Sequence, residues 1–375
     1  MTSVSINRVE IDLSALRENY RALRTMAGHD VAMMAIVKAE AYGHGLVEVA
    51  QTLYDEGVRA FGVAEAWEGV RLRDAGISGE ILVFLGAGDA GFEDVVHFNL
   101  TPVVYDTASL AILSALSGKM QTPIGVHLKV DSGMGRIGIM PEEVLGFVEE
   151  IKGFPGIFLK GVLSHFPVAD ESSSERTFQQ TQTFGRVVDD LRMAGYEGEA
   201  IHIANSAALI RYPQAHFNMV RPGISLYGCY PSREKEYLEA LELKPVMSFK
   251  TAVQQVKTVP EGHGISYGHT FITRRPTQLA VLPVGYNNGY LRKLSNRAHV
   301  LVKGRRAPII GRVCMNVCMI DVTDIGGVVP RDEVVLMGRQ GDENITAHEI
   351  AEWMETIDYE VLCLFGNLNR REYRG

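Results

Sequence analysis

VAMMAIVKAEAYGHGLVEVAQTLYDE, Val31–Glu56, decides the fold. An apolar run, Val31–Ala39, passes through a glycine-punctuated turn into Val47–Glu56, where apolar residues return every three or four positions. A strand covered on both faces reads as a near-continuous apolar run, and the spacing that follows is that of an amphipathic helix. The segment is therefore a βα unit. Similar runs recur at Phe61–Ala64, Ile81–Leu85, Thr101–Tyr105, Ile124–Asp131, Gly161–His165, Ile201–Asn205 and Asn218–Arg221. Helical stretches such as Thr107–Ser117, Pro141–Ile151 and Ser174–Ala194 lie between them. Eight such strands predict an α/β fold closed into an N-terminal (β/α)8 barrel.

Near Leu243 the texture changes to Val-, Thr- and Gly-rich runs at Val246–Val259, Gln278–Val284, His299–Val302, Ala307–Val322 and Glu333–Met337. These predict a second, mostly antiparallel β domain. The expected division is 1–243 and 244–375, in keeping with a 375-residue chain that exceeds one ordinary domain. One helix is expected to interrupt the β domain, opened by a Thr346–Glu349 capping box and burying Ile350, Ala351, Met354 and Ile357. Arg8–Leu13 alternates like a strand ahead of the barrel, so its expected partner is the second domain.

The composition, 46% hydrophobic and 22% charged, suits a soluble protein with a large core. A net charge of -8 offers nothing to nucleic acid or an anionic membrane. The start MTSVSINRVE lacks the features of a secretory signal, and no apolar run reaches the ~20 residues of a membrane span. A cytoplasmic protein is expected. Cys229, Cys314, Cys318 and Cys363 form no CxxC pair and read as buried thiols. His348-Glu349 begins like a zincin helix, but position 352 is Glu, so no metal site is expected.

In such a barrel, chemistry sits at the C-terminal strand ends. There the chain places Lys38, Lys129, Arg136, His165, Asn205, Ser206 and Arg221. One strand-end lysine is ordinarily just solvated; several polar ends meeting at one mouth are not. A lysine buried beside other cations loses its proton more readily and becomes a nucleophile and a base. Gly43 and Gly45 permit a tight turn that aims Tyr42 into the mouth. Asn205-Ser206 and Arg221-Pro222-Gly223-Ile224 expose backbone N–H groups suited to phosphate. GMGRIG, Gly133–Gly138, matches a dinucleotide fingerprint. It follows the fifth strand rather than opening the first unit and carries a cation, so it reads as a tight turn presenting Arg136.

Taken in order, RVEIDLSALRENY (Arg8–Tyr20), VKAEAYGHG, HLKVDSGMGRIG (His127–Gly138), SHFPVAD, HIANSAA, RPGISLYG (Arg221–Gly228), ISYGHTF, LPVGY, GRVCMN and YEVLC (Tyr359–Cys363) resemble the alanine racemase family. The resemblance implies a barrel followed by a β domain, pyridoxal 5′-phosphate as cofactor, and interconversion of L- and D-alanine, which supplies D-alanine for peptidoglycan. It implies that Lys38 carries the cofactor and serves one face of the substrate, and that Tyr267 serves the other. His165 and Arg221 would assist the tyrosine, and Arg221 would also face the pyridine nitrogen. Tyr42, Ser206, Gly223, Ile224 and Tyr359 would hold the phosphate, with Asn205 beside them. Arg136 would touch the cofactor's phenolic oxygen and, with the Met315 backbone N–H, the substrate carboxylate; Tyr286 would line the entrance; and Lys129 stands where some members of the family carry a carbamylated lysine and others do not. A homodimer with Tyr267 acting in trans is implied.

The chain departs from the family pattern at Glu40, where the common string is KANAYGHG, at Asn287 and Asn288, at Asn316 and in the tail FGNLNRREY. Four other readings compete for these residues. A racemase of broader specificity shares every block. A basic amino-acid decarboxylase needs an acid at the pyridine nitrogen, where this chain offers Arg221. A pyridoxal-phosphate carrier lacks the second domain, and a nicotinamide oxidoreductase rests on GMGRIG alone.

Overall fold

The computed structural model describes residues 5–85, 91–171, 175–196 and 198–375. They form two compact units. One comprises residues 16–41 and 46–244; the other comprises the chain up to Ala15, Tyr42–Gly45 and Pro245–Gly375.

The first unit is an eight-stranded parallel barrel. Its strands are β2 (Ala32–Ile36), β3 (Ala60–Val63), β4 (Glu80–Val83), β5 (Thr101–Val104), β6 (Ile124–Lys129), β7 (Ile157–Leu163), β8 (Ala200–His202) and β9 (Met219–Val220), numbered after β1 (Arg8–Asp12) of the other unit. They pair in sequence from β2 to β8, and β9 lies beside β2. Closure includes the backbone bonds Ala32 N–H to Asn218 C=O at 2.7 Å and Ile36 N–H to Pro222 C=O at 3.1 Å on the β2 side, and Arg221 N–H to Ala204 C=O at 2.9 Å on the β8 side. The strands are apolar because both faces are covered: every residue of β3 and β5 is buried. The helix Leu46–Asp55 lays Leu46, Val49, Ala50 and Leu53 on the barrel, and Thr107–Met120 starts where Asp106 accepts the Ser109 N–H at 2.7 Å.

Three details differ from the sequence expectation. β2 stops at Ile36, and Lys38–Tyr42 instead winds into a left-handed turn. β7 begins at Ile157, so Gly161 is internal rather than a strand start; a Cβ there would meet the His127 ring at 2.6 Å, which only glycine avoids. The long helix runs Glu175–Met193, and Ser174, its expected start, lies outside the described residues.

In the second unit the main sheet has the order β16-β15-β18-β10-β1-β20, with β19 on β18. These are β10 (Met247–Ala252), β15 (His299–Val302), β16 (Arg305–Pro308), β18 (Glu333–Gln340), β19 (Glu343–Ile345) and β20 (Arg370–Arg374). β1 is antiparallel to β10, with Val9 opposite Phe249, and parallel to β20, with Val9 opposite Arg371. The buried Glu10 carboxylate in β1 is matched by Arg8 at 2.9 Å, Lys250 at 2.8 Å and Arg374 at 2.7 Å. A three-stranded sheet joins β11 (Gln255–Val259), β14 (Thr277–Leu282) and β17 (Cys318–Asp321), and β12 (Gly264–Ile265) pairs with β13 (Phe271–Ile272).

The expected helix is present as Ala347–Met354, with Thr346 accepting the Glu349 N–H at 3.1 Å. Ile357 is not buried by it. Glu355 turns left-handed and ends the helix, and Ile357, 61% exposed, precedes the next one. That further helix, Asp358–Leu368, was not expected. Its run VLCLFG is apolar nearly all round, which hides the helical period. Gly43 and Gly366 let it meet the Tyr42–Gly45 loop: a Cβ on Gly366 would lie 1.9 Å from the Gly43 carbonyl oxygen. No helix among the described residues is long and apolar enough to cross a membrane.

Candidate active site

Lys38 opens a turn whose next four residues, Ala39, Glu40, Ala41 and Tyr42, all have φ between 52° and 56°. None is glycine, and a left-handed residue with a Cβ costs about 1–2 kcal/mol. Strain of this kind persists only where surrounding contacts impose it. Here the buried Glu68 carboxylate imposes it. One oxygen accepts the Ala39 N–H at 2.6 Å, and the other accepts Ala64 N–H at 2.7 Å and Glu65 N–H at 3.2 Å. Glu40 forms a short ion pair with Arg71. Lys38 is thus fixed at the C-terminal mouth of the barrel.

Across that mouth Arg221 is 4% exposed. Its Nη1 donates to His202 Nδ1 at 2.8 Å. Its Nη2 donates to the carbonyls of Ser164 at 2.7 Å and Ile203 at 3.3 Å, and stands 3.4 Å from His165 Nδ1. The Nε–H has no acceptor among the described residues. Burial pushes the guanidinium pKa down to about 9, which leaves it a cation at neutral pH. Burial, followed by Arg221, Lys129, Arg136 and Lys38, holds the His165 imidazole well below its usual range.

Lys129, which ends β6, is buried, and burial together with Arg221 and Arg136 holds its ammonium well below the ordinary lysine range. The GMGRIG loop wraps a carboxylate rather than a dinucleotide. Asp131 accepts backbone N–H groups from Gly133 at 3.0 Å, Met134 at 2.7 Å, Gly135 at 3.1 Å and Arg136 at 2.9 Å. Burial opposes ionisation of Asp131, but these four donors keep its pKa low. Arg136 is exposed at the rim.

On the barrel's last two loops, buried Ser206 accepts Gly223 N–H at 2.9 Å and Ser225 N–H at 3.3 Å. Its own O–H has no acceptor among the described residues. Ile224 starts a short 3-10 helix, so its N–H has no partner within that helix. A hydroxyl and an amide left as donors in one buried cradle suit a phosphate. Asn205 uses its side-chain oxygen to cap the following helix at Ala208 N–H, 3.0 Å.

The remaining predicted residues lie in the other unit. Tyr42 and Tyr359 pair, with ring centroids 5.8 Å apart. Tyr267 is 70% exposed and Met315 56% exposed. The Arg312–Met315 segment joins their surroundings: Ser266 Oγ donates to Arg312 C=O at 2.7 Å, Tyr286 N–H to Cys314 C=O at 3.1 Å, and Asn287 N–H to Met315 C=O at 2.9 Å. Ser266, at φ 63°, bends the chain so that Tyr267 projects from it.

Comparison with known proteins adds one fact to this geometry. The family described as alanine racemase, N-terminal domain, matches residues 11–231, and alanine racemase, C-terminal domain, matches 246–373. The chain belongs to the alanine racemase family. An alanine racemase of Halothermothrix orenii is 44% identical over 365 residues, covering 97% of this chain and 96% of that one. The crystal structure of alanine racemase from Bacillus anthracis with bound L-Ala-P aligns with a TM-score of 0.93 at 35% identity, over 100% of this chain and 96% of that chain. Alanine racemase from Bartonella henselae with covalently bound pyridoxal phosphate aligns at 0.89 with 28% identity, over 99% and 100%.

Within the alanine racemase blocks, Glu40 replaces a common asparagine, and Arg71 answers its charge. Glu68, His202 and Asp131 escaped the sequence reading. Glu68 sits in a polar stretch and His202 inside an apolar strand, so neither pattern separates it from an ordinary surface or core residue. Asp131 had a usable signal, because a carboxylate just before a Gly-x-Gly loop is placed to collect that loop's N–H groups.

Proposed function

We propose that this enzyme interconverts L- and D-alanine with pyridoxal 5′-phosphate and that Lys38 and Tyr267 are its two bases. When bound, the cofactor supplies an aldehyde that joins an amine and a ring that draws electrons from the α-carbon. Lys38 would carry it. Ser206, Gly223, Ile224, Tyr42 and Tyr359 would hold its phosphate, a role supported by the unspent Ser206 O–H and Ile224 N–H. Asn205 acts through its cap, which sets the helix that bears Ser206.

The observation that carries the reading is Arg221, a buried cation with an unspent Nε–H and no ion pair among the described residues. Arginine does not give up its proton, so a ring nitrogen against it stays unprotonated and withdraws electrons less than one facing an acid. Return of the proton to the α-carbon is then favoured over its return elsewhere, and racemisation over transamination. Lys38 Nζ takes or returns the α-proton on one face and Tyr267 Oη on the other. A single base returns the proton to the face it came from, which is why two are needed. Tyrosine's ordinary pKa near 10 makes it a weak base at neutral pH, and we assign its assistance to His165 and Arg221.

Arg136 and the Met315 N–H would take the substrate carboxylate, and Tyr286 would line its path. The suppressed Lys129 ammonium favours a free amine, the form that carbon dioxide carbamylates. We assign Tyr267, 70% exposed on its own chain, to the partner's site in a homodimer. A cytoplasmic location fits this chemistry. In a chiral assay of the cofactor-loaded protein, Lys38→Ala loses both the cofactor's visible absorbance and all racemisation of alanine. Turnover retained by that variant without added amine would reject the assignment.

A further inference from the structure

The hydrogen bond from Arg221 to His202 does not end there. His202 Nε2 lies 2.9 Å from His127 Nδ1, and His127 Nε2 faces Glu80 Oε1 at 3.5 Å. Both rings are fully buried. Lys160 Nζ reaches the same Glu80 oxygen at 2.8 Å. Arg221 follows β9 at the C-terminal mouth, whereas Glu80 is the first residue of β4 at the opposite end. A polar line therefore runs through the interior of an otherwise apolar barrel, and no step of the proposed reaction uses its far half.

The polarity of the line is fixed from both ends. Arginine has donors and no acceptor, so His202 Nδ1 must accept. A neutral His202 then carries its proton on Nε2 and donates to His127 Nδ1. His127 in turn carries its proton on Nε2, facing a carboxylate oxygen. Starting from Glu80 gives the same answer, since a bare ring nitrogen against a carboxylate is repulsive and an N–H is attractive. The reverse tautomers would set two donors against each other at Arg221. Protonating His127 would put two N–H groups face to face between the rings, and protonating His202 would set its Nδ1–H against the Arg221 Nη1–H. Burial comes first among the causes that keep both imidazoles neutral, followed for His202 by Arg221. Gly161 leaves room for the His127 ring, which would otherwise meet a Cβ.

We propose that Glu80 and His127 are positioning residues for Arg221: they lock the tautomer of His202, so that the Arg221 Nη1–H always has an acceptor and the guanidinium plane stays fixed. The proposal rests on the assignment of Arg221 to the cofactor's ring nitrogen, but the tautomer lock itself does not need the cofactor. It places the acceptor that ends the line two rings away. Arg221 is thereby held without an acid next to the ring nitrogen, where an acid would favour a different reaction.

Glu80→Met removes the acceptor, and Glu80→Gln removes only the charge. Lys160 and His127 both point at Oε1, so the glutamine carbonyl oxygen takes that place and still accepts. The measurement is long-range 15N–1H correlation of histidine-labelled protein, with and without pyridoxal phosphate, alongside kcat and KM for alanine. In wild type both His127 and His202 should show the neutral Nε2–H pattern across the neutral pH range in both forms. Glu80→Met should mix the tautomers of both rings and lower kcat about tenfold, the loss of roughly one hydrogen bond from Arg221 to a fixed acceptor, with KM little changed. Glu80→Gln should keep the wild-type tautomers and kcat to within about twofold. An Nδ1–H or doubly protonated ring in wild type overturns the proposal. So does a Glu80→Met protein with wild-type tautomers, or a Glu80→Gln loss equal to that of Glu80→Met. Failure of the cofactor assignment would show separately, as absence of pyridoxal-phosphate binding with the apoprotein tautomers intact.

Discussion

Replacing Glu68 with alanine strips three backbone N–H groups of their acceptor: Ala39, Ala64 and Glu65, held at 2.6, 2.7 and 3.2 Å. These donors are partly open to water, so each lost bond costs about 0.5–1.5 kcal/mol and the native turn loses about 2–4 kcal/mol. The turn it secures holds four left-handed residues with side chains, whose conformation costs about 4–8 kcal/mol in total. The two quantities are comparable, so the expected response is local: the turn relaxes and Lys38 leaves its position while the barrel stays folded. Urea unfolding of Glu68→Ala should show a loss of about 3 kcal/mol or less, because relaxation recovers part of the penalty. Racemisation should fall at least about 100-fold, the scale of a misplaced reacting group. Glu68→Gln should fall between the two proteins, since its single carbonyl oxygen serves either Ala39 or the Ala64–Glu65 pair. A Glu68→Ala enzyme with kcat within about twofold of wild type would refute the argument that this carboxylate holds the lysine.

Carbamylation of Lys129 should appear as a carbamate carbon resonance when native enzyme is equilibrated with 13C-bicarbonate, lost on acidification; an unmodified amine under those conditions contradicts it. The Glu80 carboxylate is held at about 2, against an ordinary 4.5: burial opposes ionisation, but His127 Nε2 facing it at 3.5 Å and Lys160 at 2.8 Å outweigh the burial. A depressed acid stabilises the fold above its unfolded pKa, and the benefit disappears as pH falls through the folded one. The gap corresponds to about 3 kcal/mol at neutral pH. Urea unfolding of wild type and Glu80→Gln should therefore differ above about pH 4.5 and converge near pH 2. Mixing the inactive Lys38→Ala and Tyr267→Phe proteins should restore activity if Tyr267 acts on its partner's site, and no recovery would count against the trans dimer.

The barrel was legible because its strands are covered on both faces and so read as apolar runs, each found within a few residues of its expected place. The left-handed turn was not, because Ala-Glu-Ala-Tyr has no preference for that conformation and is held in it by Glu68, which bonds Ala39 from 29 positions along the chain. The helix Asp358–Leu368 was hidden by apolar residues on nearly every side. The mouth residues Lys38, Lys129, His165 and Arg221 could be picked out by position, since a polar residue ending an apolar run stands out. Glu80, His127 and His202 could not. A charge at a strand start looks solvated, and a histidine within a strand looks like packing; only the tertiary line between them gives them meaning.

The two-base claim is tested most directly by α-proton exchange in deuterated water, followed separately from each enantiomer of alanine with the Tyr267→Phe enzyme. Deuterium uptake should be lost selectively from L-alanine, while D-alanine continues to exchange through Lys38. Equal loss from both enantiomers would contradict the assignment of one base to each face.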